Sequence, residues 1–344
     1  MAQKMRPSMA FDAGGGVLAA FFALVQLRLV LMLFGDGYSA SVAATLGVME
    51  GRPHWRVYQS RVLGPALVDG LSQITHDAGL AYMVFSVIAL TIAGYLAWRL
   101  GHHIGGTTVA ALLGFSLFEM GFAFLLTAPW LYAWDYIGVI IFLVFVDFVR
   151  AGKSWRWFVG LFAVAIFNRE SAEFIALWMM AEPPIRWWLA RRGGAAPKRL
   201  DRAMLIAGCA CFIAGLGIVE ALRRALLIEE IGPKLFPQST LGSGPDFHFR
   251  LFENLAAVTG AAGNLQNLVV VYFLLFLAGL IVTLALRDPA RWLSLGLVHL
   301  ALLASILVFG AVFETRLYVE FIPIALAAAV TFVTASAAPR RNPD

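Results

Sequence analysis

Long apolar runs recur along the whole chain, separated by short polar segments. A run of about 20 apolar residues can cross the hydrocarbon core of a bilayer as one α-helix. The recurrence of such runs predicts an all-α polytopic membrane protein with a single transmembrane domain, residues 1–344. The predicted spans are Gly16–Phe34, Ala78–Trp98, Thr107–Leu126, Asp135–Val149, Ala203–Leu222, Asn267–Leu286, Trp292–Phe313 and a last one that begins near Leu317.

The stretch Trp157–Glu182 has a different pattern. Its two apolar halves are each too short to span a membrane, and Asn168, Arg169 and Glu170 separate them. Both flanks are basic, so the positive-inside rule predicts that the chain enters the membrane here and returns to the same side. We therefore predict a broken-helix hairpin with a polar tip near the outer boundary, and nine to ten membrane segments in total.

Two long segments, 35–77 and 225–266, are predicted to be external loops. In the first, residues 58–74 have apolar positions at helical spacing, which is typical of an amphipathic helix lying in the interface. In the second, the aromatic residues of 247–255 predict another short interfacial helix. A third segment, 182–202, is basic and is predicted to be a cytoplasmic loop that contacts anionic lipids of the inner leaflet.

Composition and charge agree with this class of protein. Of the 344 residues, 60% are hydrophobic and only 14% are charged, which a soluble domain could not bury. Of the 26 Lys and Arg residues, 16 fall on the predicted cytoplasmic segments and 8 on the external ones. This bias predicts cytoplasmic N- and C-termini, and it explains the net charge of +5 without a nucleic-acid partner. Cys209 and Cys211 are predicted to be free thiols.

Charged and polar residues gather at the predicted external boundary. Ions at membrane depth are costly, so these residues are expected to face other protein groups or a wet cavity, and they define the candidate site. They come from the first loop, the start of the fourth span, the hairpin tip and the turn before the last span. The residues are Asp36, Arg56, Arg61, Asp135, Asn168, Arg169, Glu170, Glu314 and Arg316.

Simpler interpretations of these residues stay open at this point. Asp135 suits the N-terminus of a helix, and Glu314 and Arg316 form a local ion pair if the turn between them is tight. Trp134 and Tyr132, just before the fourth span, are typical of an aromatic belt at the headgroups.

Other acidic residues give two further expectations. Glu170 and Glu173 are three residues apart, so a helix places them on one face, where one carboxyl raises the pKa of the other. A raised pKa suits general acid–base catalysis, so Glu170 is a candidate catalytic residue beside Asp36. Glu119 and Arg28 lie at a similar predicted depth, which favours a buried pair between their spans.

Motifs for several other chemistries are missing from the sequence. It contains no phosphate-binding P-loop, no dinucleotide glycine fingerprint, no metal-spaced set of His and Glu and no Gly-x-Ser-x-Gly. No cofactor is therefore predicted, although a divalent metal at Asp36 and Asp135 stays open.

Four short motifs together resemble a known family. They are Tyr58-Gln-Ser-Arg61-Val-Leu-Gly-Pro65, the Asp135 that opens a span, Asn168-Arg169-Glu170-Ser171, and Glu314-Thr-Arg316-Leu-Tyr318. Over residues 16–335 the chain resembles bacterial integral-membrane glycosyltransferases of the GT-C type. The resemblance implies transfer of a sugar from a polyprenyl-phosphate donor to a lipid or glycan acceptor. It places the reaction on the external, periplasmic face of the bacterial inner membrane.

The resemblance also implies roles for individual residues. Asp36, or Glu50 as a second choice, matches the acidic residue of the first external loop and would take the proton from the acceptor hydroxyl. Arg169 would hold the lipid phosphate as it leaves. Arg56, Arg61 and Arg316 would assist Arg169, Glu170 and Asn168 would orient it, and Asp135 and Glu314 would complete the binding site.

Two hypotheses from other classes also fit the sequence. Discontinuous helices with charges near the membrane midplane are typical of a transporter or flippase for an amphipathic lipid-linked anion. A non-catalytic membrane subunit, in which Arg169 and Glu170 only fix the packing of helices, is the other.

Overall fold

Helices make up all the regular structure in the described part of the chain. The computed structural model describes residues 9–35, 37–53, 56–126, 131–193, 200–227 and 249–336. The α-helices are α1 (Met9–Phe34), α2 (Gly37–Met49), α3 (Leu63–Thr75), α4 (Ala78–Gly105), α5 (Thr108–Leu125), α6 (Ala133–Ala151), α7 (Trp155–Ala165), α8 (Glu173–Arg192), α9 (Arg202–Leu226), α10 (Leu251–Thr259), α11 (Leu265–Arg287), α12 (Pro289–Phe309) and α13 (Ile322–Ser336). Short 3₁₀ segments cover Arg56–Ser60, Glu170–Ala172, Gly260–Gly263 and Thr315–Phe321.

Seven segments in the described ranges are long and apolar enough to cross a membrane. They comprise α1, α4, α5, α9, α11, α12 and the segment of α13 together with the preceding 3₁₀ turn. Each coincides with a predicted span, so the chain has the fold of a multi-pass membrane protein. The predicted fourth span is α6, which carries Asp135, Asp147 and Arg150 and packs among α3, α4, α7 and α13.

The predicted cytoplasmic segments meet at one end of the bundle, which we call the basic end. A cleft of about 220 Å³ there is lined by His103, Arg150, Arg291 and Thr334, from the ends of α4, α6 and α13 and from the start of α12. The start of α1 reaches the same end, because the Tyr95 hydroxyl donates a hydrogen bond to Asp12 over 3.2 Å. The sidedness of this end stays a prediction.

The hairpin forms, but its second arm is longer than predicted. α7 has 11 residues and α8 has 20, so they rise about 16 and 30 Å at 1.5 Å per residue. α8 continues through Pro183 and Pro184 to Arg192, and the predicted loop 182–202 therefore begins as helix.

Three contacts between residues four positions apart lie on α8 around and beyond its two prolines. Each proline removes a backbone hydrogen bond, a loss that these contacts offset only in part. The pairs are Glu182 with Arg186, Trp187 with Arg191, and Trp188 with Arg192.

Two other boundaries differ from the prediction. Residues 37–49 of the first predicted loop form α2, whose side chains Val42, Thr45 and Val48 are buried. α4 continues past Trp98 to Gly105, so the predicted turn at residues 99–106 is largely helical.

Helices form near both places where interfacial helices were predicted. α3 lies within residues 58–75, buries Val68 against the bundle, and exposes Leu67 and Ile74. α10 begins at Leu251, and Phe252 is among its exposed apolar side chains. Amphipathic patterning therefore predicted both elements.

Small residues bring α4 and α5 into close contact. A Cβ atom on Gly101 would overlap the carbonyl oxygen of Ala110, and one on Gly114 would lie 2.9 Å from the carbonyl oxygen of Ala97. Such approaches replace the hydrophobic driving force that helices lack inside a lipid environment.

Gly101→Ala is expected to destabilise the fold by about 1–3 kcal/mol, because the helices must move apart to admit the methyl group. Gly160→Ala on α7 is the matched control, since nothing lies within 4 Å of its added Cβ. Thermal unfolding of both variants in detergent tests the prediction. Equal melting temperatures for the two variants would contradict it.

Candidate functional site

Charged side chains from five parts of the chain meet at the end of the bundle opposite the basic end. The contributing elements are the 3₁₀ segment before α3, the start of α6, the hairpin tip, the end of α9 and the turn before α13. We call the resulting cluster the ion network. Its members are Arg61, Asp135, Arg169, Glu170, Arg223, Glu314, Arg316 and Glu320.

One branch of the network is centred on Glu170 at the hairpin tip. Its carboxylate lies 3.1 Å from Arg61 and 2.9 Å from Arg223. It also accepts a hydrogen bond from the Ser60 hydroxyl over 2.9 Å. Burial alone raises the pKa of the Glu170 carboxyl, but the charges of Arg61 and Arg223 outweigh it and lower that pKa to about 2. Glu170 is therefore a fixed anion, and this geometry suits orientation of the arginines better than proton transfer at neutral pH.

The second branch is centred on Asp135, which is fully buried. Arg316 contacts it over 3.3 Å and contacts Glu314 over 2.6 Å. Arg169 lies between Asp135 and Glu320, 3.5 Å from each carboxylate. Charge-assisted bonds are usually 2.7–2.9 Å long, so Arg169 is the most loosely held guanidinium in the network.

Aromatic rings join the two branches. The Arg316 guanidinium donates to the Tyr58 hydroxyl over 3.1 Å, and the Arg61 guanidinium lies 4.7 Å from the centre of the Tyr58 ring. Tyr132 and Trp134 stack beside them with centroids 4.5 Å apart and are almost fully buried. The prediction that these two residues form a headgroup belt was therefore wrong, because they pack under the arginines instead.

Backbone contacts hold the site together. The Tyr132 N–H donates to the Asp135 carboxylate over 3.0 Å, so Asp135 caps α6 as well as binding arginines. The Asn168 side-chain amide donates to the Trp134 carbonyl over 2.9 Å. The Leu63 N–H donates to the Phe167 carbonyl over 2.8 Å, which ties the start of α3 to the hairpin tip.

Most of the predicted site residues come together in this structure. The ones that do so are Arg61, Asp135, Asn168, Arg169, Glu170, Glu314 and Arg316. Asp36 lies outside the described residues, as does the side chain of Arg56. The base role of Asp36 stays a prediction. Glu50, the second choice, is exposed at the end of α2.

Three residues of the site were missed in the sequence. Glu320 is 1% exposed, and the Ser171 hydroxyl donates to it over 2.5 Å. A carboxylate inside an apolar span is a sufficient signal for such a site. Arg223 had no comparable signal, because residues at the end of a span are normally solvated. Tyr58 belongs to the motif Tyr58–Pro65, but no role in the site was predicted for it.

Two expected pairs do not form, Glu119 with Arg28 and Glu170 with Glu173. Glu119 accepts a hydrogen bond from the Gln26 side chain over 2.9 Å, and Arg28 is exposed. Glu173 faces Gly215 of α9, whereas Glu170 faces Arg61. Glu170 and Glu173 therefore contact different elements, and neither expected pair shares a site.

The ion network is formally neutral, with four guanidinium groups and four carboxylates in the described ranges. A divalent metal at Asp135 would have to compete with Arg169 and Arg316 for the same oxygens. No group of three or more His, Cys, Asp or Glu side chains forms a metal site in the part of the chain described. An anion that reaches Arg169 could form shorter hydrogen bonds with its guanidinium than Asp135 and Glu320 form.

Fold and site together define a multi-pass helical membrane protein with a buried ion network at one end. Comparisons with protein-family models, with curated proteins and with solved structures gave no match to this chain. The function therefore has to be argued from the site itself.

Proposed function

We propose that this protein is a membrane glycosyltransferase that transfers a sugar from a polyprenyl-phosphate donor to a lipid or glycan acceptor. The proposal places the ion network on the external face of the bacterial inner membrane, with both termini on the cytoplasmic side. One observation supports it most strongly. Four motifs far apart in the sequence, which together resemble GT-C enzymes, meet in one cluster at the end opposite the basic loops.

Arg169 is the residue best suited to bind the donor phosphate. Its side chain is 11% exposed, and both of its carboxylate contacts are 3.5 Å long. A phosphate oxygen would offer a shorter, charge-assisted bond and would gain negative charge as the sugar leaves. Asp135 and Glu320 would then hold Arg169 in position from behind.

Sugar transfer in membranes with a labelled polyprenyl-phosphate sugar tests this assignment. Arg169→Gln is expected to reduce transfer by at least about tenfold, because one stabilising donor is lost from the transition state. The matched control is Arg224→Gln, since Arg224 is 76% exposed and paired only within α9. Equal loss in both variants, at equal protein level, would contradict the role of Arg169.

The charge balance of the network favours a second candidate, a non-catalytic membrane subunit with a structural network. In that case Arg169→Gln combined with Glu320→Gln keeps full function, because removing both charges leaves no unpaired ion. Under the transferase proposal the same double variant stays folded but loses transfer. Flux of a lipid-linked anion in proteoliposomes without chemical turnover would instead indicate a transporter or flippase.

A further inference from the structure

Glu173 is a buried acid with no hydrogen-bond donor. It occupies the first position of α8, one turn below the hairpin tip, and is 8% exposed. Neither of its carboxyl oxygens has a hydrogen-bond partner among the described residues. The other acids at this end of the bundle contrast with it, because each network carboxylate contacts at least one arginine.

The walls around Glu173 are apolar. A Cβ atom on Gly215 of α9 would overlap the Glu173 carboxyl and would lie 2.8 Å from the Phe162 ring of α7. The missing side chain of Gly215 thus provides the space for the carboxyl. Cys211, a buried thiol, lies one turn before Gly215 on the same face of α9.

An ionised carboxylate without a donor is strongly disfavoured in such surroundings. The N-terminus of α8 attracts negative charge, but the effect of a helix terminus is smaller than the cost of desolvating an ion. A neutral carboxylic acid removes that cost, since it needs no counter-ion.

We propose that Glu173 is a proton-binding site in the seam between the hairpin and α9. It carries its proton while α8 packs on α9, and α9 also supplies Arg223 to Glu170. Loss of the proton leaves a charge between Gly215 and Phe162 and loosens this seam. Proton occupancy at Glu173 thereby supports the geometry of one branch of the network. This inference is independent of the proposed transferase reaction.

Infrared spectroscopy of the purified full chain tests the site directly, because a protonated carboxyl has a C=O band that a carboxylate lacks. The comparison uses Glu119→Gln as background, since Glu119 is another buried acid in a membrane helix. Near neutral pH, the band is expected to be lost when Glu173→Gln is added. A band unchanged by Glu173→Gln overturns the proposal.

A measurement on the unmodified protein covers the case in which the Glu173→Gln variant fails to fold. Dicyclohexylcarbodiimide, an apolar reagent, adds to protonated carboxyls in apolar surroundings. Mass spectrometry is expected to find the adduct on Glu173, with a yield that falls as the pH rises. Glu170, a paired anion, serves as the internal control and stays unlabelled. The absence of an adduct on Glu173 overturns the proposal.

Discussion

Arg316→Ala is expected to lower the free energy of unfolding by about 3–5 kcal/mol, the usual cost of removing one partner from a buried ion pair. Arg316 is 2% exposed and contacts Asp135, Glu314 and the Tyr58 hydroxyl. Alanine would leave the two carboxylates without this guanidinium in a nearly dry site. It would also remove the cation that lies 4.7 Å from the centre of the Tyr132 ring.

Denaturant unfolding in mixed micelles, followed by tryptophan fluorescence, measures this loss. The informative control is Asp135→Asn combined with Arg316→Gln, in which two neutral amides replace two ions. It should recover a large part of the lost stability, because the penalty comes mostly from the unpaired charge. If Arg316→Ala unfolds at the wild-type midpoint, the network is not a buried ionic structure.

The second large effect is expected at Arg223, and its sequence neighbour provides the control. The Arg223 side chain is 4% exposed and lies 2.9 Å from Glu170. Arg224 is 76% exposed and pairs with Glu220 one turn earlier on the same helix. Arg223→Ala should cost about 3 kcal/mol, whereas Arg224→Ala should cost less than about 1 kcal/mol. Similar melting temperatures for the two variants would disprove the buried position of Arg223.

Acid titration checks the same pair independently. The pKa of Glu170 is lowered to about 2 in the folded protein, compared with about 4.3 in an unfolded chain. Its contribution to stability is therefore present above about pH 4.3 and is lost as the pH falls towards 2. Arg223→Ala removes one cause of the lowered pKa, so the variant should lose less stability than the wild type over this range.

The spans and the outline of the site could be predicted because both depend on local patterns. A run of 20 apolar residues fixes a span whatever its neighbours are, and basic loops fix which ends meet. The position of Asp135, Arg169 and Arg316 at one end of the bundle follows from those two rules. Nothing more about the tertiary structure was needed.

The partners within the site could not be predicted, because they depend on how each helix is rotated. Gln26 and Arg28 are two residues apart on α1, so they point in different directions, and only Gln26 faces Glu119. Glu170 and Glu173 were assigned to one helical face, but Glu170 contacts Arg61 and Arg223 whereas Glu173 lies against Gly215. The continuation of α8 through Pro183 and Pro184 likewise runs against local propensity, and no local pattern indicated it.

The hairpin tip and the start of α6 bind residues that come much later in the chain. The Ser171 hydroxyl bonds to Glu320, 149 residues later, and Asp135 bonds to Arg316, 181 residues later. During synthesis, Arg169 and Glu170 therefore leave the ribosome long before their last partners exist. Until the segment with Glu314, Arg316 and Glu320 is inserted, the nascent bundle carries uncompensated charges. The last turn of the chain to be inserted therefore completes the charge balance of the site.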